Sequence, residues 1–107
     1  MPHYMIQASY TPEAWAGLVK KPQDRSRALR DQMKSVRGRL VSFYNAFGES
    51  DVVVIAEMPN DQAAAAFSIA AAAGGAVTNL KTTKLLTAAE GLAVLRAAKK
   101  AKYTPPS

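Results

Sequence analysis

The sequence predicts one α+β domain, because short apolar strands alternate with helical segments in the order strand, helix, strand, strand, helix, strand. Its 107 residues fit a single domain, and a hydrophobic fraction of 49% is typical of a globular chain. Two successive strand-helix-strand units favour the ferredoxin-like βαββαβ arrangement, in which a four-stranded antiparallel sheet carries helices on one face. An extra C-terminal helix is expected after the last strand.

The first unit begins with a strand over residues 3–10, where apolar and polar side chains alternate. Thr11 is suited to cap the short helix that follows, and Pro12 suits its first turn. A longer helix is expected over residues 23–36. Gly38 lies just beyond that helix, where a left-handed residue is common.

The second unit contains two adjacent strands, over residues 39–47 and 52–58, joined by a turn. The second of them is almost continuously apolar, which predicts a central position in the sheet. An alanine-rich helix over residues 62–73 follows, and Phe67 and Ile69 are expected to anchor it as its only large apolar side chains. A strand over residues 76–85 completes the sheet before the last helix.

Strand alternation assigns each side chain to one of two faces. The apolar set is expected beneath the helices: Tyr4, Ile6, Ala8, Val41, Phe43, Phe47, Val52, Val54 and Ala56. The opposite, open face then carries His3, Met5, Gln7, Ser9, Ser42, Tyr44, Val53, Ile55 and Glu57. A bulge would reverse this parity beyond it. An apolar face with a few polar groups is typical of binding pockets and also of dimer interiors.

Three segments of the chain resemble GYD-domain proteins: residues 4–18, the FYNAFGESD run with the strand after it, and residues 82–87. The resemblance covers residues 1–98. Gly48 and Asp51 of the family's turn motif are present, but Ser50 replaces the tyrosine that gives the family its name. We expect one domain over residues 1–101 and a flexible tail over 102–107, which contains Pro105 and Pro106. The resemblance implies a dimeric α+β barrel, a fold shared by cofactor-free monooxygenases, isomerases, haem enzymes and ligand-sensing regulators.

The candidate pocket consists of the polar side chains that parity places on the open face: His3, Gln7, Ser42, Tyr44 and Glu57. Glu57 is their only carboxylate, so proton abstraction would fall to it or to His3. A pKa raised by apolar surroundings would suit Glu57 as a base, whereas a salt bridge across a dimer would be a structural role. A solvated His3 at the chain start is the corresponding structural alternative. No catalytic residue is assigned.

Composition argues against several classes of protein. One histidine and no cysteine make a transition-metal site unexpected, and we expect no cofactor. The net charge of +6 allows nucleic-acid binding, but no aromatic stacking platform or known module accompanies the basic helix faces. No apolar run of about 18 residues predicts a membrane helix. With no secretory signal, these features favour a cytoplasmic protein. A free Pro2 amine, as in tautomerases, is disfavoured by the family resemblance.

The sequence therefore predicts a homodimer or larger homo-oligomer that binds a small apolar or aromatic metabolite inside the barrel. A cofactor-free enzyme of monooxygenase or isomerase type stays open. The alternative is a non-catalytic structural or regulatory dimerisation module.

Overall fold

The computed structural model describes residues 1–107 and contains four strands and four helices. The strands are β1 (His3–Tyr10), β2 (Arg39–Asn45), β3 (Val52–Glu57) and β4 (Val77–Leu85). The helices are α1 (Pro12–Lys20), α2 (Arg25–Lys34), α3 (Asp61–Ala73) and α4 (Ala88–Lys100). The strands form one antiparallel sheet in the order β2-β3-β1-β4. The predicted ferredoxin-like arrangement, with its extra C-terminal helix, is confirmed.

Side chains that cap helices set where the helices begin. The Thr11 hydroxyl accepts a hydrogen bond from the Ala14 amide at 3.2 Å, and Pro12 occupies the first turn of α1. Thr87 and Glu90 form a reciprocal capping box at the start of α4. These caps satisfy amides that have no partner within their own helix, so polar residues at these points fix the helix boundaries.

The connection from α2 to β2 differs from the prediction. Arg37, with φ of 61°, takes the left-handed conformation expected of Gly38. Gly38 is required for a different reason, since a Cβ there would lie 2.5 Å from the Met58 sulfur and 3.2 Å from the Met33 carbonyl oxygen. Met58 and Met33 are fully buried, so glycine lets the chain pass close to the core.

The pairing of the two central strands agrees with the predicted faces. Tyr4, Ile6 and Ala8 of β1 lie opposite Ala56, Val54 and Val52 of β3, and all six side chains are buried. The next residues along each strand point to the other face. The hydrophobic core therefore lies on the helix side of β1 and β3.

Strand β2 corrects part of the predicted core. A bulge at Val41 shifts the register, so Leu40 lies opposite Ala56 and is buried in the place predicted for Val41. Beyond the bulge the prediction holds, because Phe43 lies opposite Val54 on the helix side. Phe47 was also predicted in the core, but it follows the end of β2 and its side chain is fully exposed.

The helices cover the sheet unevenly. α2 packs against β2 and α3 packs against β4, while α4 makes almost no contact with other elements. In α3, Phe67 is buried as an anchor, but Ile69 faces solvent, contrary to its predicted anchoring role. The radius of gyration is 16.9 Å, well above the roughly 13 Å expected for a compact chain of this length. The chain is thus elongated.

Candidate functional site

Three charged or ionisable side chains form a row across the open face of the sheet. His3 on β1 and Arg39 on β2 both lie opposite Glu57, which ends the intervening strand β3. Cross-strand neighbours on one face approach to roughly 5 Å between their Cβ atoms, so the register itself brings the three together.

Glu57 is the centre of this row. Its carboxylate accepts hydrogen bonds from Arg39 Nη2 at 2.8 Å and from Arg39 Nε at 3.4 Å. His3 Nε2 lies 3.2 Å from Oε1 of the same carboxylate, and His3 Nδ1 is buried without a hydrogen-bond partner. We call His3, Arg39 and Glu57 the charged row.

The charged row determines the ionisation of Glu57. Its hydrogen bond with Arg39 lowers the pKa of the Glu57 carboxyl, and this effect outweighs burial, which acts in the opposite direction. Glu57 therefore lacks the raised pKa that would suit a base, and its contacts match the salt-bridge alternative instead. The salt bridge forms within one chain, and an ionised carboxylate with a lowered pKa is a weak base.

The other predicted pocket residues lie beside an apolar centre. Gln7 and Tyr44 both lie opposite Val53, and Ser42 lies opposite Ile55. Tyr44 is 63% exposed and Gln7 is partly exposed. The sheet register thus brings all five predicted residues to one face.

The open face also carries two basic side chains, Arg39 and Lys81, that were not predicted to lie there. Arg39 lies before the bulge in β2, so simple alternation assigns it to the wrong face. Lys81 lies opposite Gln7, a register that depends on a second bulge near Asn79 in β4. Both residues are recognisable in the sequence as basic side chains within predicted strands. The face of the sheet on which they lie could not be predicted, because it depends on the two bulges.

The turn residues Gly48 and Asp51 have different roles. The Asp51 carboxylate accepts a hydrogen bond from the Tyr10 amide at 2.9 Å, and the Asp51 amide donates to the Ala8 carbonyl at 2.9 Å. Asp51 therefore links β3 to the end of β1. A Cβ on Gly48 would meet no atom within 4 Å, so the turn does not require glycine there on steric grounds.

Two cavities lie away from the predicted pocket residues. A hollow of about 310 Å³ is lined by the turn residues Glu49 and Ser50 together with β4 residues that include Asn79 and Lys81. A larger cleft of about 790 Å³ opens on the helix side of the sheet. Neither is lined by His3, Gln7, Ser42, Tyr44 or Glu57.

No cluster of three or more histidine, aspartate or glutamate side chains could hold a metal ion. Every helix is too short or too polar to cross a membrane.

The sheet order and the helices on one face of the sheet define a ferredoxin-like α+β domain. Its open face has an apolar centre bordered by polar and charged side chains. The GYD domain family matches residues 4–95, and the chain belongs to this family. The solved structure of MtbAldR has a similar fold, with a TM-score of 0.58 at 15% sequence identity. That match covers 80% of this chain and 53% of the MtbAldR chain. No curated protein matches the sequence significantly.

Proposed function

We propose that this GYD domain forms a homodimer through the open face of its sheet and binds a small apolar or aromatic metabolite between the two sheets. The observation that carries the proposal is the composition of that face. Met5 and Ile55 lie side by side at its centre, next to Val53, and the charged row borders them. All three apolar side chains are partly exposed to solvent.

A second copy of the sheet is the simplest cover for this surface. Only 12 of the 107 residues are buried in the single chain, so the isolated domain has a small core. Small domains commonly gain stability by association, and apolar patches of this kind mark interaction surfaces. Apposition of two identical faces would follow two-fold symmetry.

The polar side chains of the open face are better suited to binding a ligand than to catalysing a reaction. Tyr44 presents an aromatic ring with a hydroxyl that can donate or accept a hydrogen bond, and Gln7 offers an amide. Glu57 is already engaged by Arg39 and His3. The proposed role of the charged row is to border the pocket and orient a ligand, rather than to abstract a proton.

The dimer is tested by sedimentation of the wild type and of Ile55→Asp at micromolar concentration. The wild type is expected to be dimeric or larger, and Ile55→Asp should dissociate it because an unpaired charge would enter the interface. Val19→Asp is the matched control, since Val19 is 77% exposed on α1 and away from the sheet. A monomeric wild type would refute the proposal.

The ligand is tested by native mass spectrometry of the protein purified from its source cells. A small molecule retained by the wild type, and lost or weakened in a Tyr44→Phe variant that is still dimeric, is expected. If the dimer instead carries no ligand and its interior is filled by side chains, the chain is a structural or regulatory dimerisation module.

A further inference from the structure

The helix side of the sheet contains a cleft of about 790 Å³ that is separate from the open face. It is lined by residues of α1, α2 and α3, and its floor is formed by side chains of the two central strands, among them Ile6, Ala8 and Val54. Its volume falls in the range of roughly 300–1,000 Å³ that is typical of small-molecule sites.

The cleft arises from the placement of the two helices. α2 packs on β2 and α3 packs on β4, and these are the two edge strands of the sheet. The central strands β1 and β3 are therefore left without a helix directly over part of their length. The wall from α3 is formed by Phe67, Ala70 and Ala71, and the small methyl groups of the two alanines leave part of the gap unfilled.

The lining of the cleft is mostly apolar. Sixteen of its 23 lining residues are hydrophobic, and larger side chains such as Leu18, Leu29 and Phe43 line it as well. Apolar surface left in contact with water in an open cleft of this size is unfavourable, because burying it would release free energy roughly in proportion to its area. An apolar molecule bound there would bury this surface.

The charges at the cleft have one sign. Lys21 and Arg25 belong to its lining, together with the amide side chains of Gln23 and Gln32, and no aspartate or glutamate does. Neither cation forms a salt bridge within the chain. The adjacent carboxylate of Asp24 instead accepts hydrogen bonds from Ser26 at the start of α2. Arg25 Nη1 donates a hydrogen bond to the Gln23 side-chain oxygen at 3.4 Å. The cleft thus offers two cations without an acidic partner next to an apolar wall.

We infer that the cleft binds an amphipathic carboxylate, with its apolar body against the strand floor and the alanine wall of α3. Its carboxylate reaches Lys21 and Arg25. An arginine suits this role because its planar guanidinium can bind both oxygens of one carboxylate. This site lies on the opposite side of the sheet from the proposed dimer face and does not depend on it.

The charge preference is tested with decanoate and decanol, which share an apolar chain and differ in the head group. Isothermal titration calorimetry at low salt should show decanoate binding about fivefold more tightly, as expected for roughly 1 kcal/mol from a solvent-accessible ion pair. The double variant K21Q/R25Q should remove that difference while leaving decanol binding unchanged. Equal affinity of the wild type for both probes would overturn the inference.

The location is tested with Ala71→Trp, which would place an indole ring in the cleft. Decanoate binding should be lost in this variant and retained in Ala72→Trp, because Ala72 is exposed on the same helix and does not line the cleft. Ile55→Asp, on the other face, should bind decanoate as the wild type does. Unchanged decanoate binding by Ala71→Trp would contradict the assigned site.

The same variants show whether the cleft binds a small molecule or a part of another protein chain. The apolar, exposed helix α4 of a second copy could also enter the cleft. In that case Ala71→Trp would reduce the oligomer size in sedimentation, and the wild type would bind neither probe. That result would overturn the inference in favour of a protein interface.

Discussion

Two glycines with different surroundings show what single residues contribute. A Cβ at Gly38 would lie 2.5 Å from the sulfur of the fully buried Met58 and 3.2 Å from the backbone carbonyl oxygens of Glu57 and Met33. Gly38→Ala should therefore lower the free energy of unfolding by about 1–3 kcal/mol, the usual cost of overpacking. Urea denaturation measures this change.

Gly48→Ala is the matched control for that substitution. Its new methyl group would point into open space, and its φ lies outside the left-handed region. The variant should be neutral or more stable by about 0.4–1 kcal/mol, because alanine restricts the unfolded chain. Equal losses of stability in the two variants would contradict the steric explanation for Gly38.

Tyr4 and Asp61 form a coupled pair at the start of α3. Burial, reinforced by its hydrogen bond to Asp61, raises the pKa of Tyr4 to about 12. The same hydrogen bond, followed by that from Lys84, lowers the pKa of the Asp61 carboxyl below its usual value. The bond therefore favours the ionised form of Asp61 in the folded chain.

Tyr4→Phe should raise the pKa of the Asp61 carboxyl towards its ordinary value, as measured by carbon-detected NMR titration. A lowered folded-state pKa stabilises the fold above the unfolded-state pKa, and this stabilisation is lost as the pH falls through the folded-state value. The stability difference between wild type and Tyr4→Phe should therefore shrink in acid. Tyr103→Phe, at an exposed position in the C-terminal segment, should leave Asp61 unchanged.

Strand alternation predicted the face of most single residues but not all of them. The faces of Tyr4, Phe43, Ser42 and Tyr44 follow from a period of two and an even turn. Leu40 takes the buried position predicted for Val41 because β2 contains one extra residue between its paired positions. Either residue is apolar and β-compatible, so the sequence contains no preference that would reveal the bulge.

At the scale of elements, the bulge in β4 depends on a single backbone conformation. Asn79 has φ of 51°, and the register with β1 shifts between Gln7 and Ser9 at this point. Asparagine tolerates the left-handed region better than most residues, whereas a β-branched residue does not. The bulge also sets which β4 side chains share the open face with Gln7.

Asn79→Val should lower the free energy of unfolding by about 1–2 kcal/mol, because valine would have to adopt the left-handed conformation. Asn79→Gly should be tolerated. Thr78→Val is the control at the neighbouring exposed strand position, and it should change stability little. Chemical denaturation compares the three variants, and a tolerated Asn79→Val would show that the strand can adopt another register.

Helix boundaries were more predictable than strand registers because local side chains determine them. Thr11, Asn60 and Thr87 cap helices through hydrogen bonds to amides three residues later. α2 was predicted to begin at residue 23 but begins at Arg25, because Asp24 is the residue that caps it. Capping is a local interaction, whereas a register is set by contacts between distant parts of the chain.

At the scale of the molecule, the separation of α2 from α3 could not be predicted from the sequence. The alanine-rich composition of α3 gives high helix propensity, but it does not reveal that the helix lies over an edge strand. The cleft follows from that placement, so a prediction limited to the open face overlooked it. The charged row was only partly predicted for a similar reason, because Arg39 reaches Glu57 through the bulged register.

Helix α4 is expected to contribute little to the free energy of unfolding of the single chain, in contrast to the core. Leu95 of α4 is 69% exposed and the helix has no buried residue, whereas Leu40 of β2 is 7% exposed within the core. In a dilute, dissociated sample, Leu95→Ala should change the free energy of unfolding by less than about 0.5 kcal/mol. Leu40→Ala should cost about 2–5 kcal/mol, because it would leave a cavity in the core.

The comparison uses urea denaturation at several protein concentrations. If α4 is free in the single chain, Leu95→Ala remains close to the wild type at low concentration. A loss that appears only as concentration rises would mean that α4 packs against another copy of the chain. A loss of more than about 1 kcal/mol at every concentration would be too large for an exposed leucine, and it would show that α4 packs against its own chain.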